Sequence, residues 1–259
     1  MNLDVVILCG GRGTRLSEKT DTVPKPLVEI GNQPILWHIM KYYSKHDFNR
    51  FILALGYKGD LIKDWFLRTY RIAGSFDLDL KNPSLPPYPE DWRILFLNTG
   101  LDSGTSNRLL QTKEYISGDQ FMVAYGDCVV DVDLNKVLAF HNEMKRKHGV
   151  LMTLTAHRPN SKFGIIREKE SLATSFMEKP KIDDWAAVGF MVFEKEAFNH
   201  GFPTSPSSMF EGDFIPYLAK KGKLAVFKHE GFFCPMDTYK DYVELNAIWE
   251  RGEAKWKLW

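Results

Sequence analysis

The sequence predicts an α/β protein with a mixed, mainly parallel β-sheet that is covered by helices on both faces. Through the first half of the chain, short apolar runs alternate with segments of helical periodicity, which is typical of parallel sheets. Residues 5–9, 51–55 and 121–125 are hydrophobic at every position, which indicates strands buried on both faces. After about residue 157 short strands follow one another, so we expect a smaller β insertion there.

The first half of the chain begins with a predicted strand at residues 3–8, which leads into a glycine-rich loop. Pro34 is a favourable first residue for the next helix. The apolar face of that helix consists of Ile35, Leu36, Ile39, Met40 and Tyr43. His38 lies off this face, so we expect its side chain to be partly exposed.

The strand predicted at residues 51–55 is followed by a helix that Asp60 is expected to cap. That helix is expected to bury Leu61, Ile62, Trp65 and Phe66. Residues 74–92 contain a proline-rich stretch and predict a surface loop. A strand at residues 93–97 follows, and Arg108 is expected to open a helix that ends near Gly118.

The second half of the chain contains shorter elements. Asp133 is the expected N-cap of a helix, and residues 149–156 predict the next strand. Residues 163–166 and 173–177 are expected to pair as a hairpin because charged residues separate them. The remaining expected elements are strands at 187–193 and 224–227, a helix at 213–221, and a last helix after 236–238.

The composition is that of an ordinary globular protein, with 44% hydrophobic and 26% charged residues. The formal net charge of +1 gives no reason to expect nucleic acid or an anionic membrane as a partner. The apolar runs are too short to span a bilayer, and no basic segment precedes residues 5–9, so we expect no secretory signal. Cys9, Cys128 and Cys234 are widely spaced and fit free thiols in a reducing compartment. A cytoplasmic enzyme fits these observations.

The loop that follows the first strand carries the strongest functional signal. Its glycines, at positions 10, 11 and 13, allow backbone N–H groups to approach a phosphate closely. Arg15 and Lys25 add two full positive charges, so the stretch predicts a nucleoside triphosphate site. A glycine turn with solvated arginines is the alternative interpretation. The dinucleotide fingerprint is only half met because Leu16 replaces its third glycine, and no Gly-Lys-Ser/Thr triplet occurs.

Asp127 is a second candidate, because it follows Gly126 directly after the strand predicted at 121–125. Ligands of open α/β sheets bind beyond the carboxyl ends of the strands, which is where this carboxylate is expected. A turn aspartate that bonds its own backbone is the alternative interpretation.

Residues 10–16, Gly-Gly-Arg-Gly-Thr-Arg-Leu, and residues 24–26, Pro-Lys-Pro, resemble the signature of the sugar-1-phosphate nucleotidylyltransferases. Gly126-Asp127, Glu178-Lys179-Pro180 and Met236-Asp237-Thr238 extend the resemblance along the chain. The segments that make the chain most similar to the bacterial glucose-1-phosphate cytidylyltransferases are residues 34–40, 56–59, 125–127, 231–232, 235–238 and 252–256.

The resemblance implies the Rossmann-like fold of nucleotide-diphospho-sugar transferases, with a small sugar-side β insertion. It implies one domain over residues 1–259, whose nucleotide-binding half covers about 1–150 and whose acceptor-binding part covers about 151–259. The implied reaction is attack of a sugar 1-phosphate, glucose 1-phosphate above all, on the α-phosphorus of CTP, with release of pyrophosphate. Mg²⁺ dependence and a homo-oligomer are implied as well.

The resemblance also assigns roles to individual residues. Arg15 and Lys25 would be catalytic, and Asp127 and Asp237 would share one Mg²⁺. The implied nucleotide-binding residues are Leu8, Cys9, Gly10, Gly11, Gly13, Thr14, Arg108 and Gly126. The implied acceptor-binding residues are Glu178, Lys179, Ala187 and Gly189.

The acceptor side departs from the family pattern at Ala187-Val188, where the family carries an asparagine that contacts sugar hydroxyls, followed by a small residue. Loss of such a polar contact can change selectivity by on the order of 10⁴-fold. A different phosphorylated acceptor or another nucleoside triphosphate is therefore the alternative. A silent binding protein is disfavoured by the complete set of charged residues, and an oxidoreductase is disfavoured by Leu16.

Overall fold

A computed structural model gives the structure of the protein at residues 3–71, 90–161 and 163–259. Residues 74–89 of the predicted surface loop lie outside these ranges. The strands are β1 (Asp4–Cys9), β2 (Glu29–Ile30), β3 (Gln33–Pro34), β4 (Arg50–Leu55), β5 (Arg93–Asn98), β6 (Gln120–Tyr125), β7 (Cys128–Val130), β8 (Met152–His157), β9 (Ile165–Lys169), β10 (Leu172–Met177), β11 (Ala186–Glu194), β12 (Leu224–His229) and β13 (Phe233–Pro235). The α-helices are α1 (Ser17–Thr20), α2 (Ile35–Ser44), α3 (Gly59–Arg71), α4 (Thr105–Gln111), α5 (Leu134–His148), α6 (Phe214–Lys220) and α7 (Tyr239–Glu250).

The central sheet has seven strands in the order β12-β8-β11-β6-β1-β4-β5. Strand β11 runs antiparallel to both of its neighbours, and the other neighbouring strands pair in parallel. Along β1, Val5 and Ile7 belong to one buried cluster, whereas Val6 and Leu8 belong to another. Because successive side chains of a strand point to opposite faces, the sheet has a hydrophobic core on each side. The predicted mixed, mainly parallel α/β fold is confirmed.

The expectation that His38 would be partly exposed is wrong, because its side chain is completely buried. Its Nε2–H donates to the carbonyl oxygen of Ile30 at 2.8 Å, and the indole N–H of Trp256 donates to its Nδ1 at 3.4 Å. Burial lowers the pKa of His38 to about 4, so the ring is neutral at pH 7. The periodicity of α2 could not reveal this, because Trp249 and Trp256 at the C-terminal end of the chain cover the helix.

Two helix starts also differ from the predictions. Helix α3 begins at Gly59, so Asp60 lies in its first turn, and Leu61 is exposed. Helix α4 begins at Thr105, so Arg108 lies inside it and does not open it. By contrast, the Asp133 side chain does accept the capping hydrogen bonds of α5.

The predicted hairpin is confirmed, since β9 and β10 pair antiparallel. Phe163, Ile166, Leu172 and Phe176 on or beside this hairpin are all exposed. Within the described ranges, no helix combines the length and apolarity needed to cross a bilayer.

Candidate active site

A cavity of about 300 Å³ opens where β1 and β6 end. This is the carboxyl edge of the parallel strands, where open α/β sheets bind their ligands. The predicted catalytic, nucleotide-binding and metal residues all line it: Leu8, Cys9, Gly10, Gly11, Gly13, Thr14, Arg15, Lys25, Arg108, Gly126, Asp127 and Asp237. The structure therefore brings the predicted nucleotide, metal and catalytic residues together in one cavity.

Asp127 and Asp237 are brought together by a small antiparallel strand pair. Strand β7 begins directly after Asp127, and β13 pairs with it so that Pro235 lies opposite Cys128. The N–H of Met236 also donates to the carbonyl oxygen of Asp127 at 2.8 Å. The chain therefore returns to the same edge of the sheet, and Asp237 lies beside Asp127.

Lys25 lies between these two carboxylates. Its Nζ donates to Asp127 Oδ2 at 2.8 Å and to Asp237 Oδ1 at 2.6 Å, and only 11% of its side chain is exposed. Burial alone would lower the pKa of Lys25, but the two carboxylates outweigh burial and raise it above its ordinary value. The ammonium is therefore charged at neutral pH, at the point where both carboxylates converge.

Arg15 lies at the open side of the cavity. Its Nη1 is 3.3 Å from Asp237 Oδ2, while 76% of its side chain is exposed. The loop before it turns at Gly13, whose φ of 65° is in the left-handed region that favours glycine. An exposed guanidinium beside backbone N–H groups is suited to phosphate oxygens, because its planar fork can donate two parallel hydrogen bonds.

Arg108 has a different environment from the other cations. It is buried, and its Nη1 and Nη2 donate to the carbonyl oxygens of Leu55, Gly100, Gly10 and Leu101 and to the hydroxyl of Thr99. A Cβ at Gly10 would lie 2.1 Å from Arg108 Cζ, so the guanidinium passes close against that backbone. Arg108 thus ties the glycine loop to the loops that follow β4 and β5.

The predicted acceptor-binding residues do not line the cavity. Glu178 and Lys179 are exposed and pair with each other at 3.3 Å, and Ala187 is also exposed. Gly189 is one layer behind the cavity, because a Cβ there would lie 2.2 Å from Cδ2 of Tyr125, which does line it. Val188 is buried.

Several residues that line the cavity were missed by sequence reasoning. These are Pro26, Ser103, Thr105, Tyr125 and Met209. Tyr125 could have been found, since it directly precedes Gly126-Asp127. Thr105 and Met209 carried no signal, because the hydrogen bonds that join Gly104 to Pro206 and Ser106 to Ser208 link distant parts of the chain.

Asp127 and Asp237 are the carboxylates at which a divalent cation could bind in the cavity. Among the residues that the structure describes, no group of three or more His, Cys, Asp or Glu side chains could hold a metal. Asp127 and Asp237 nevertheless both reach the Lys25 ammonium, so a single cation can contact both carboxylates. Two carboxylates completed by phosphate oxygens and water are a usual Mg²⁺ environment, so these residues fit the ion.

Comparisons with known proteins identify the class of this fold and site. A family model described as nucleotidyl transferase matches residues 4–254, and the chain belongs to this family. The chain is 40% identical to the probable glucose-1-phosphate cytidylyltransferase of Bacillus subtilis (strain 168), over 99% of this chain and 100% of that protein. It is 39% identical to the glucose-1-phosphate cytidylyltransferase of Salmonella typhimurium, again over 99% of this chain and 100% of that protein.

Solved structures support the fold assignment. HddC from Yersinia pseudotuberculosis superposes with a TM-score of 0.68 at 23% identity, covering 95% of this chain and 99% of that chain. UDP-glucose pyrophosphorylase from Acinetobacter baumanii superposes with a TM-score of 0.69 at 15% identity, covering 98% of this chain and 96% of that chain. At these identities the likeness concerns the fold alone.

Proposed function

We propose that the protein transfers a cytidylyl group from CTP to glucose 1-phosphate, giving a CDP-sugar and pyrophosphate. Relatives that are 39–40% identical over essentially their whole length carry this activity in their names. The structural observation that supports the proposal best is the Lys25 ammonium held between Asp127 and Asp237, with Arg15 beside them. This arrangement of charges suits a reaction in which phosphate groups meet and separate.

In the proposed reaction an oxygen of the sugar phosphate attacks the α-phosphorus of CTP, and pyrophosphate leaves in line. No covalent enzyme intermediate is needed, so the residues act by positioning the substrates and by stabilising charge. Lys25, charged and largely buried, would neutralise charge that grows on the phosphates as the bond breaks. Arg15, which is exposed at the cavity mouth, would hold the departing phosphates.

Asp127 and Asp237 would hold a Mg²⁺ ion together with phosphate oxygens of the nucleotide. When bound, the ion would supply positive charge and fix the orientation of the phosphates. The side chains can accept it without a change of fold, because both carboxylates already converge on one cation. The Lys25 ammonium would then share its two partners with the ion.

The nucleoside is proposed to bind along the backbone from Leu8 to Gly11, where the cavity continues toward Ser103. Arg108 supports this part of the site, since it fixes the carbonyl oxygen of Gly10. Glu178 and Lys179 are proposed to contact the acceptor, although both lie outside the cavity lining. They would have to approach when the sugar phosphate binds.

The alternative is the same transfer to a different phosphorylated acceptor, or from another nucleoside triphosphate. It is favoured by Ala187, which has no polar group to offer a sugar hydroxyl. Pyrophosphate release should be measured for each of CTP, UTP, GTP, ATP and dTTP with a panel of hexose 1-phosphates. The proposal predicts the highest kcat/KM for CTP with glucose 1-phosphate. No turnover of that pair, together with turnover of another pair, would establish the alternative.

A cytoplasmic homo-oligomer is proposed as well. The buried thiols of Cys9 and Cys128 suit a reducing compartment. The exposed apolar side chains of the β9–β10 hairpin, such as Ile166 and Leu172, would be covered by a second copy of the chain. Sedimentation of the purified protein would test the oligomer.

A further inference from the structure

Behind one wall of the cavity, a carboxylate that no motif identified joins two cavity-lining hydroxyls. Glu211 accepts a hydrogen bond from the Tyr125 hydroxyl on Oε1 and one from the Thr105 hydroxyl on Oε2, both at 2.5 Å. Tyr125 ends β6, and Thr105 begins α4, so the carboxylate bridges two different elements of the fold. Tyr125 and Thr105 line the cavity, and Glu211 is not one of the lining residues.

The ring of Tyr125 is held rigidly in the cavity wall. Phe210 stacks on it with centroids 6.4 Å apart and an interplanar angle of 14°. Gly189 lies against it so closely that any side chain there would collide with the ring. Gly189 belongs to β11, the strand on which the acceptor side of the site was predicted. The position of the hydroxyl is therefore fixed from three directions, beside that strand and two residues before Asp127.

The partner of the hydroxyl also fixes where its hydrogen points. An ionised carboxylate can only accept hydrogen bonds, so the Tyr125 hydrogen is committed to Glu211. A tyrosine hydroxyl carries one hydrogen and two lone pairs. The lone pairs of its oxygen are what remains for a ligand. Only a ligand that donates a hydrogen bond can satisfy them.

We propose that Tyr125 is an acceptor-binding residue, whose oxygen accepts a hydrogen bond from a sugar hydroxyl, and that Glu211 is the positioning residue that orients it. This inference rests on the proposed function and assigns a polar contact on the acceptor side that Ala187 cannot provide. It also narrows the acceptor to a compound with a free hydroxyl near its phosphate, as in a hexose 1-phosphate.

The test measures how variants of Tyr125 and Glu211 use glucose 1-phosphate and analogues that each lack one hydroxyl. KM and kcat are measured for glucose 1-phosphate and its four monodeoxy analogues at saturating CTP, and KM for CTP is measured at saturating glucose 1-phosphate. The proteins compared are the wild type, Tyr125→Phe and Glu211→Gln. Tyr42→Phe is the matched control, because the Tyr42 hydroxyl donates to the carbonyl oxygen of Val132 and does not line the cavity. Thermal melting of each variant reports its folding.

Tyr125→Phe should raise KM for glucose 1-phosphate about tenfold, which corresponds to one hydrogen bond, while KM for CTP stays within twofold. For one monodeoxy analogue, Tyr125→Phe and the wild type should have the same KM, because that analogue lacks the hydroxyl in question. Glu211→Gln should also raise KM for glucose 1-phosphate and not KM for CTP. The glutamine amide can donate a hydrogen bond to the tyrosine oxygen and so occupy the lone pair that the sugar hydroxyl needs. Tyr42→Phe should change neither KM.

The inference is overturned if Tyr125→Phe raises KM equally for glucose 1-phosphate and for all four analogues. It is also overturned if KM for CTP rises as much as KM for glucose 1-phosphate, or if neither KM changes. If the wild type fails on glucose 1-phosphate, the proposed function fails. The same comparison with the hydroxyl-deleted analogues of whichever sugar phosphate is turned over then decides the role of Tyr125 separately.

Discussion

Replacing Lys25 by methionine removes the ammonium between Asp127 and Asp237 but keeps an unbranched side chain of similar length. In the wild type this ammonium makes two charged hydrogen bonds, at 2.6 and 2.8 Å, to carboxylates that are about one-third exposed. Charged hydrogen bonds contribute about 1.5–3 kcal/mol each to stability. The net loss is smaller than the sum of two such bonds, because the carboxylates are partly exposed and because the variant no longer has to bury an ammonium. We therefore expect a loss of about 1–3 kcal/mol in the free energy of unfolding, and a fall in kcat of at least ~10²-fold.

The pH dependence of this difference has a definite sign. Because the folded-state pKa of Lys25 is raised above its ordinary value of 10.5, its stabilisation is fully present below pH 10.5 and is lost as pH rises through the folded pKa. Urea denaturation should therefore show the wild type and the variant converging in stability above that pH. A constant difference at all pH values would mean that the ammonium does not stabilise through its charge.

The same variant tests the carboxylate pair as a metal site. Without the competing ammonium, Asp127 and Asp237 should bind Mg²⁺ more tightly, and Mg²⁺ at ten times Kd should stabilise the variant by about 1.4 kcal/mol. Lys41→Met is the matched control, because Lys41 is in a largely buried ion pair with Glu90 outside the cavity. If Mg²⁺ fails to stabilise Lys25→Met more than it stabilises the wild type, the shared-metal assignment is refuted.

Four further variants test the rest of the site. Asp127→Asn and Asp237→Asn should each lower turnover by on the order of 10²-fold, and near-native rates at saturating Mg²⁺ would contradict the assignment. Arg108→Lys keeps the positive charge, but the lysine cannot reach all five oxygen partners of Arg108. Thermal melting should therefore show that the free energy of unfolding falls by about 2–4 kcal/mol, and KM for CTP should rise. In steady-state kinetics, Lys179→Ala should weaken binding of the acceptor much more than binding of CTP. If both are weakened equally, the assignment of Lys179 to the acceptor is wrong.

The regular elements of the fold could be predicted because their signals are local. Unbroken apolar runs predicted β1, β4 and β6, and a single aspartate predicted the start of α5. His38 could not be predicted in the same way. Its burial depends on tryptophans more than two hundred positions later, and the helical pattern around it contains no information about them.

In the candidate site, too, local sequence patterns identified some residues, whereas residues joined by tertiary contacts were not predicted. The glycine loop and Lys25 were predicted from the residue types that follow the first strand. The resemblance added Asp237, which β7 and β13 bring beside Asp127. Glu211 carried no signal, because it is an isolated glutamate that belongs to none of the motifs. Its partners Thr105 and Tyr125 are set by tertiary contacts, so only the structure could join them.

The proposed reaction is cytidylyl transfer from CTP to glucose 1-phosphate by the charged residues at the carboxyl edge of the sheet. Phosphorus NMR of the protein with CTP, glucose 1-phosphate and Mg²⁺ tests it most directly. The wild type should form equal amounts of CDP-glucose and pyrophosphate, and Asp237→Asn should form about one-hundredth as much of each at early times. Unchanged CTP and glucose 1-phosphate in the wild-type sample, or full product formation by Asp237→Asn, would contradict it.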